Sequence, residues 1–201
     1  MQSPEKKTNL AEVLLFHHAH GRTAGVLRFA ERLRQAGHTV HVPDLYEGRI
    51  FEEMKGGLHY AMKIGIQAIV ERGVRAADML PENLVYAGFS LGVLPAQKLA
   101  QTRRGAAGAL FFHGCAPVSQ FGPYWPLHVP VQIHAYDTDK VFMDGGDLFA
   151  ARKLVANANA AELFLYPGKG HIFTDSSLPS YDEAATTLVL KRVLQFLDAI
   201  R

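Results

Sequence analysis

Residues 86–93 read YAGFSLGV, a serine with a glycine two positions away on either side, and the reading of Ser90 decides the fold. With 18 Gly among 201 residues, a G-x-S-x-G match arises by chance at roughly 0.05 per sequence of this composition, so its surroundings must carry the argument. The apolar run NLVYAGF (83–89) ends at the serine, and a segment of helical period, LGVLPAQKLAQTRR (91–104), begins directly after it. Strand, sharp turn and helix form the context that a nucleophile elbow requires. Gly88 and Gly92 lack a Cβ, so strand and helix can approach closely while Ser90 holds a strained apex that presents its hydroxyl above a sheet.

Outward from the elbow, short apolar runs alternate with helical segments. Strands are predicted at 12–18 (EVLLFHH), 38–43, 83–89, 107–114 (AGALFFHG), 130–137 (PVQIHAYD) and 161–168. GVLRFAERLRQAG (25–37) places Val26, Phe29, Ala30 and Leu33 on one stripe. Further helices are predicted over about 51–80, after Ser90, over 145–158 and over 180–200. This alternation predicts an α/β fold: a minimal, mostly parallel sheet of about six strands with helices on both faces. A chain of 201 residues that is 48% hydrophobic has the size for one domain, so 1–201 reads as a single unit.

Composition excludes several function classes. The net charge of +2 comes from 21 basic and 19 acidic residues spread along the chain, without the basic stripe that nucleic acid would require. No apolar run approaches the ~18 residues of a membrane span. Cys115 has no second cysteine to pair with, and the opening MQSPEKKTNLAEV lacks an apolar core followed by a cleavage site, which predicts a cytoplasmic protein. The segment 115–129, CAPVSQFGPYWPLHV, has no periodic pattern and reads as a loop, either walling a pocket or covering the edge of the core.

A serine hydroxyl needs a base within hydrogen-bond reach, and the base needs an acceptor that fixes its tautomer. His171, in YPGKGHIF after the last strand, is the best-placed base. QIHAYDTDKVF offers Asp137 and Asp139 as the acid, and Asp139, beyond the strand end, is preferred because it can turn back toward His171. The order Ser90, Asp139, His171 is the serine, acid, histidine order of the α/β-hydrolase fold.

At this point the chain resembles the dienelactone hydrolase family, a small branch of the α/β-hydrolases. VLLFHHAHG resembles the family's first strand and oxyanion loop, and AGHTVHVPDLYEGR its next strand running into Pro-Asp-Leu-Tyr. AGFSLG is similar to its elbow, and GHIFTDSSLPSYDEAATTLVLKRVLQFL to its histidine loop and closing helix. The resemblance implies that Ser90 attacks, His171 acts as base and then acid, Asp139 orients it, and the backbone N–H groups of Ala19 and Leu91 form the oxyanion hole. It also implies two departures. The dienelactone enzymes proper carry a cysteine nucleophile and a glutamate on the oxyanion loop, where this chain has Ser90 and His18. Four residues past the histidine they carry an arginine that grips a substrate carboxylate, where this chain has Asp175, expected to repel one.

Other polar residues are placed around this frame. His17, His18 and His20 end one strand, and His113 and Cys115 end another. Imidazole and thiolate are zinc ligands, but the spacing fits no zinc pattern and an oxyanion loop accounts for the same histidines, so neither a metal nor a cofactor is expected. His18, His20, Tyr46, Arg49 and Asp175 are candidate substrate contacts, with a turn anchor or a solvated loop as the plainer role for Tyr46 and Arg49. Asp144 and Asp147 are read as caps of the following helix. The expected activity is that of a serine hydrolase cleaving a small ester or thioester through an acyl-enzyme. The alternatives are an acyltransferase using the same triad and a catalytically silent α/β-hydrolase domain that binds a ligand.

Overall fold

A computed structural model describes residues 10–200, so most of the opening segment read for a leader lies outside the described residues. Six strands, β1 (Glu12–Phe16), β2 (Thr39–His41), β3 (Val85–Phe89), β4 (Gly108–Phe112), β5 (Val131–Tyr136) and β6 (Ala161–Tyr166), form one sheet in the order β2-β1-β3-β4-β5-β6. Every neighbouring pair is parallel. All the strand C-termini therefore lie along one edge, and the strand order reverses between β1 and β3. Open α/β sheets bind ligands outside the carboxyl ends at such a reversal.

Alternation along the strands sends side chains to two apolar layers. Leu14 and Phe16 of β1, Tyr86 of β3 and Phe111 of β4 face one layer, which is closed by α3 (Ile66–Ala76), α4 (Val93–Thr102) and α6 (Asp147–Asn157). Val13, Leu15, Val85, Ala87, Phe89, Leu110 and Phe112 face the other, closed by α1 (Ala24–Gln35) and α7 (Glu183–Ala199). The predicted stripe of α1 packs as expected, with Val26, Phe29, Ala30 and Leu33 all buried. This is the α/β-hydrolase arrangement that the element order predicted.

The structure differs at the element ends. The predicted 51–80 helix is two, α2 (Met54–Ile64) and α3, broken at Gly65, whose φ of 92° no helix interior accommodates. Each strand is shorter than its predicted run: β1 and β6 stop two residues early, β3 starts two residues late, and β2, β4 and β5 are trimmed at both ends. Residues 17–18 and 113–114 are equally apolar in setting but leave the ladder, and His113 does so with φ 58°. The 115–129 loop contains a short 3₁₀ turn at Val118–Gln120 and is pinned by buried Trp125, whose indole N–H donates to Val129 O at 2.7 Å.

Candidate active site

The elbow takes the form its glycines allow. Ser90 directly follows β3 and opens a 3₁₀ turn (Ser90–Gly92) that leads into α4, with φ 48°. The left-handed region costs a non-glycine residue about 1–2 kcal/mol, which the surrounding packing must offset. A Cβ on Gly88 would lie 2.1 Å from Gly92 O, and one on Gly92 would lie 2.5 Å from Phe16 O. Both positions therefore need glycine, and their close approach sets the first turn after Ser90 against the end of β1. Leu91 stands in that first turn, where backbone N–H groups have no intrahelical acceptor.

Three loops converge on Ser90. Its Oγ lies 2.9 Å from His171 Nε2, and His171 Nδ1 lies 2.6 Å from Asp139 Oδ2. Asp139 is buried and caps α5 (Lys140–Asp144), where its other oxygen accepts from Val141 N at 3.0 Å. The helix start and the imidazole thus hold the carboxylate from two sides. Asp137 points elsewhere: its Oδ1 accepts from Gly168 N at 3.2 Å, bracing the loop before His171. Under His171 lies His113, with ring centroids 5.8 Å apart. Burial and the neighbouring His171 hold His113 well below the usual imidazole range, and it pairs with Thr174 Oγ1 at 2.9 Å.

Ser90 opens onto a cavity of about 260 Å³ that is also lined by Cys115, Pro117, Gln120 and Asp147. Burial, then the nearby Asp147 carboxyl, push the Cys115 thiol far up, so it stays protonated beside the serine. The sequence predicts Asp147 as a helix cap. Instead Gly146 occupies the N-cap of α6 without a side-chain bond, and Asp147 Oδ1 accepts from Cys115 N at 2.7 Å. Burial raises its carboxyl, partly countered by that N–H. The sequence held one signal for this: a second Gly directly before Asp147 can itself serve as the N-cap, which frees the carboxylate.

The candidate substrate contacts divide differently from expectation. Asp175 is 2% exposed and does not face the cavity. Its Oδ2 accepts from His18 Nε2 at 2.7 Å and from the Thr23 hydroxyl, and its Oδ1 accepts from Ser177 N at 2.7 Å. Burial alone would raise this carboxyl, but the hydrogen bonds from His18, Ser177 and Thr23 win and hold it below the usual carboxylate range. The expected repulsion of a substrate by Asp175 is thus corrected: the carboxylate lining the Ser90 cavity is that of Asp147. His18 is buried too. Its Nδ1 accepts from His20 N at 3.3 Å, so the proton sits on Nε2 and the ring is neutral, as burial favours.

Tyr46 is likewise buried, its hydroxyl donating to Gly57 O at 3.1 Å, and it is a core residue rather than a pocket contact. Arg49 lies in solvent over the Tyr60 ring at 5.3 Å, and His20 Nδ1 is bonded to Phe51 O at 2.9 Å. Neither lines the Ser90 cavity, and neither does Ala19, which is buried between His18 and His20. His17 donates from Nδ1 to His18 O and accepts at Nε2 from Leu45 N, so both nitrogens are taken. Among the described residues, no group of three or more His, Cys, Asp or Glu is placed to hold a metal ion.

Comparison with known proteins agrees with this architecture. A dienelactone hydrolase-like promiscuous phosphotriesterase from metagenomic libraries superposes with a TM-score of 0.72 at 16% identity, covering 98% of this chain and 89% of that one. A Klebsiella pneumoniae protein provisionally described as a dienelactone hydrolase gives 0.73 at 19% identity, over 98% of this chain and 90% of that one. Thermogutta terrifontis esterase 2, phosphonylated by cyclosarin, gives 0.66 at 16% identity, over 96% and 84%. No curated protein matches the sequence significantly. These likenesses speak for the fold, and the sequence profile of the dienelactone hydrolase family matches residues 1–201. With the parallel sheet, the elbow and that full-length match together, the chain belongs to the dienelactone hydrolase family, a family of hydrolases.

Proposed function

We propose that the protein is a serine hydrolase that cleaves a small neutral ester or thioester through an acyl-enzyme. The observation that carries this reading is the unbroken path from Ser90 Oγ through His171 to Asp139, at 2.9 and 2.6 Å. Asp139 accepts from Nδ1–H, which leaves Nε2 free to take the serine proton. Ser90 Oγ attacks the carbonyl carbon as His171 Nε2 receives that proton, and the carbonyl electron pair moves onto oxygen. The developing oxyanion is met by backbone N–H groups, with Leu91 and Ala19 as the assigned donors, each worth about 10²–10³ in rate. Collapse expels the alcohol or thiol, which takes the proton from His171. Water then repeats the sequence and releases the acid and free Ser90.

Asp147 supports the preference for a neutral substrate, because a carboxylate entering a cavity of about 260 Å³ would be held close to its own. At ~4 Å and an effective dielectric near 20 that repulsion reaches about 4 kcal/mol before screening. The cyclosarin adduct of the Thermogutta esterase recommends an organophosphonate probe for this chain. A fluorophosphonate should add its mass to the peptide holding Ser90, with labelling and p-nitrophenyl acetate turnover both lost in Ser90→Ala. Turnover retained by Ser90→Ala would refute the mechanism. Labelling without turnover in water, but with turnover on adding an alcohol or amine acceptor, would make it an acyltransferase.

A further inference from the structure

A second cavity, of about 780 Å³, lies between the 115–129 loop and α6. Pro117 lines both this cavity and the one that holds Ser90. Its walls include Val118, Tyr124, Trp125, Leu127, Phe149 and Leu154, and its polar residues are few: Ser119, Lys153 and Asn157. Tyr124, Leu127 and Phe149 are 72, 68 and 73% exposed, an apolar investment that a surface loop and helix do not need for packing. The two cavities differ in capacity. Small-molecule pockets run to about 300–1,000 Å³, so the Ser90 cavity alone holds little more than the reacting ester and its nearest atoms, whereas the second has room for a drug-sized apolar group.

We propose that this second cavity is the subsite for an extended apolar arm of the substrate, which passes from the Ser90 carbonyl across Pro117 and lies between Trp125 and Phe149. The inference rests on the serine hydrolase reading and names its substrate class: neutral esters or thioesters carrying a medium-length alkyl or an aryl group. The structure supplies the reason for the arm to turn there. The rest of the Ser90 cavity is closed by α4 at Val93 and Leu94 and carries Asp147, which an alkyl chain would desolvate without compensation. Beyond Pro117 the second cavity is lined by no carboxylate, and Lys153 is the one charged side chain in its lining.

Two ester series test this, p-nitrophenyl esters of lengthening acids and acetates of lengthening alcohols, and they also show which side of the ester carries the arm. A buried methylene is worth up to about fourfold in kcat/KM, and we expect one series to rise at least tenfold between two and eight carbons while the other stays flat. Leu127→Asp and Phe149→Asp, both at exposed positions, should cut the long-to-short ratio at least fivefold, whereas Leu188→Asp on the exposed face of α7 should not. Trp125 is the only tryptophan, so binding is read without turnover: N-octylacetamide should change the fluorescence of Ser90→Ala and acetamide should not. A failed hydrolase reading would leave that signal intact. Flat profiles in both series with no fluorescence change would overturn the subsite. So would a concentration-dependent dimer that Phe149→Asp dissociates while leaving the chain-length ratio unchanged, because the apolar walls would then belong to a contact between copies of the chain.

Discussion

Replacing Asp175 by Asn tests whether a buried carboxylate that does not line the Ser90 cavity holds the site together. The carboxylate accepts from four donors: His18 Nε2, the Thr23 hydroxyl, Ser177 N and Ser177 Oγ. An amide has one oxygen. Because Ser177 N is a backbone donor that cannot turn away, the oxygen must face it, and the NH₂ then faces His18 and Thr23. Thr23 can rotate its hydroxyl to accept. His18 can accept only by moving its proton to Nδ1, where it meets the His20 N–H that Nδ1 now receives at 3.3 Å. At least one buried donor is left without an acceptor, at about 1–3 kcal/mol, and the charge-assisted character of the remaining bonds is lost. We expect a loss of about 2–4 kcal/mol at pH 7, and with about 2–4 °C per kcal/mol for a chain of this size, Tm falls by about 5–15 °C.

The same substitution has a pH signature and a kinetic one. Asp175 titrates lower folded than unfolded, so its stabilisation is complete above the unfolded value near pH ~4 and is lost as pH falls through the lower folded value. The gap in Tm between wild type and Asp175→Asn should therefore be constant from pH 5 to 7 and narrow below pH ~4. Ala19, which we propose as an oxyanion donor, directly follows His18. Loosening His18 should thus lower kcat about 10- to 100-fold with little change in KM, since the lost interaction belongs to the transition state. Circular-dichroism melts across pH and steady-state kinetics on p-nitrophenyl acetate read both effects. An Asn variant that melts within 1 °C of wild type with unchanged kcat would refute the role assigned to this carboxylate.

Other outcomes follow from specific contacts. Asp139→Asn should lower kcat by about 10⁴ because the amide leaves His171 in the wrong tautomer, while Asp137→Asn, which only braces Gly168 N, should cost less than about tenfold in the same assay. A Cβ on Gly57 would lie 1.7 Å from Ala19 O, so Gly57→Ala should displace the loop proposed to carry an oxyanion donor and reduce kcat by about 10- to 10³-fold in a protein that still binds a substrate amide. Asp147→Asn should narrow the preference of kcat/KM for a neutral ester over a carboxylated one, measured at fixed low salt. Burial lowers His17 to about 4 and His134 to about 3. Both are neutral when folded and take up protons on unfolding below pH ~6.5, so each removes up to about 1.4 kcal/mol of stability per pH unit from pH ~6.5 down to its folded value. His134→Phe should flatten the acid limb of Tm against pH down to pH 3.

What the sequence made legible follows from what each feature depends on. Strands buried on both faces read as continuous apolar runs, so β1, β3, β4 and β5 were visible as such, and a helix directly after Ser90 was visible in its period. Where the strands stop was not visible, because the residues that leave the ladder, His17, His18 and His113, sit in surroundings as dry as the strands themselves. The helix break at Gly65 was hidden because the apolar period continues on both sides of it. Ser90, Asp139 and His171 could be set in order because chain order and strand ends alone bring their loops to one edge.

Asp175 shows where that kind of reading ends. A charged residue four positions after His171 looks like a group aimed at substrate, and only its partner decides otherwise. That partner, His18, is 157 positions away on a loop whose path depends on the Gly92 contact with β1. Because His18 already receives the His20 N–H at Nδ1, it has a single proton to give, and Asp175 is where that proton points. The carboxylate is therefore committed to the loop that carries Ala19, and the carboxylate that lines the Ser90 cavity is that of Asp147, whose chain position marks it as a cap. Neither aspartate has the surroundings its position implies. The reason lies in which backbone donors each can reach: Ser177 N for Asp175, and Cys115 N for Asp147.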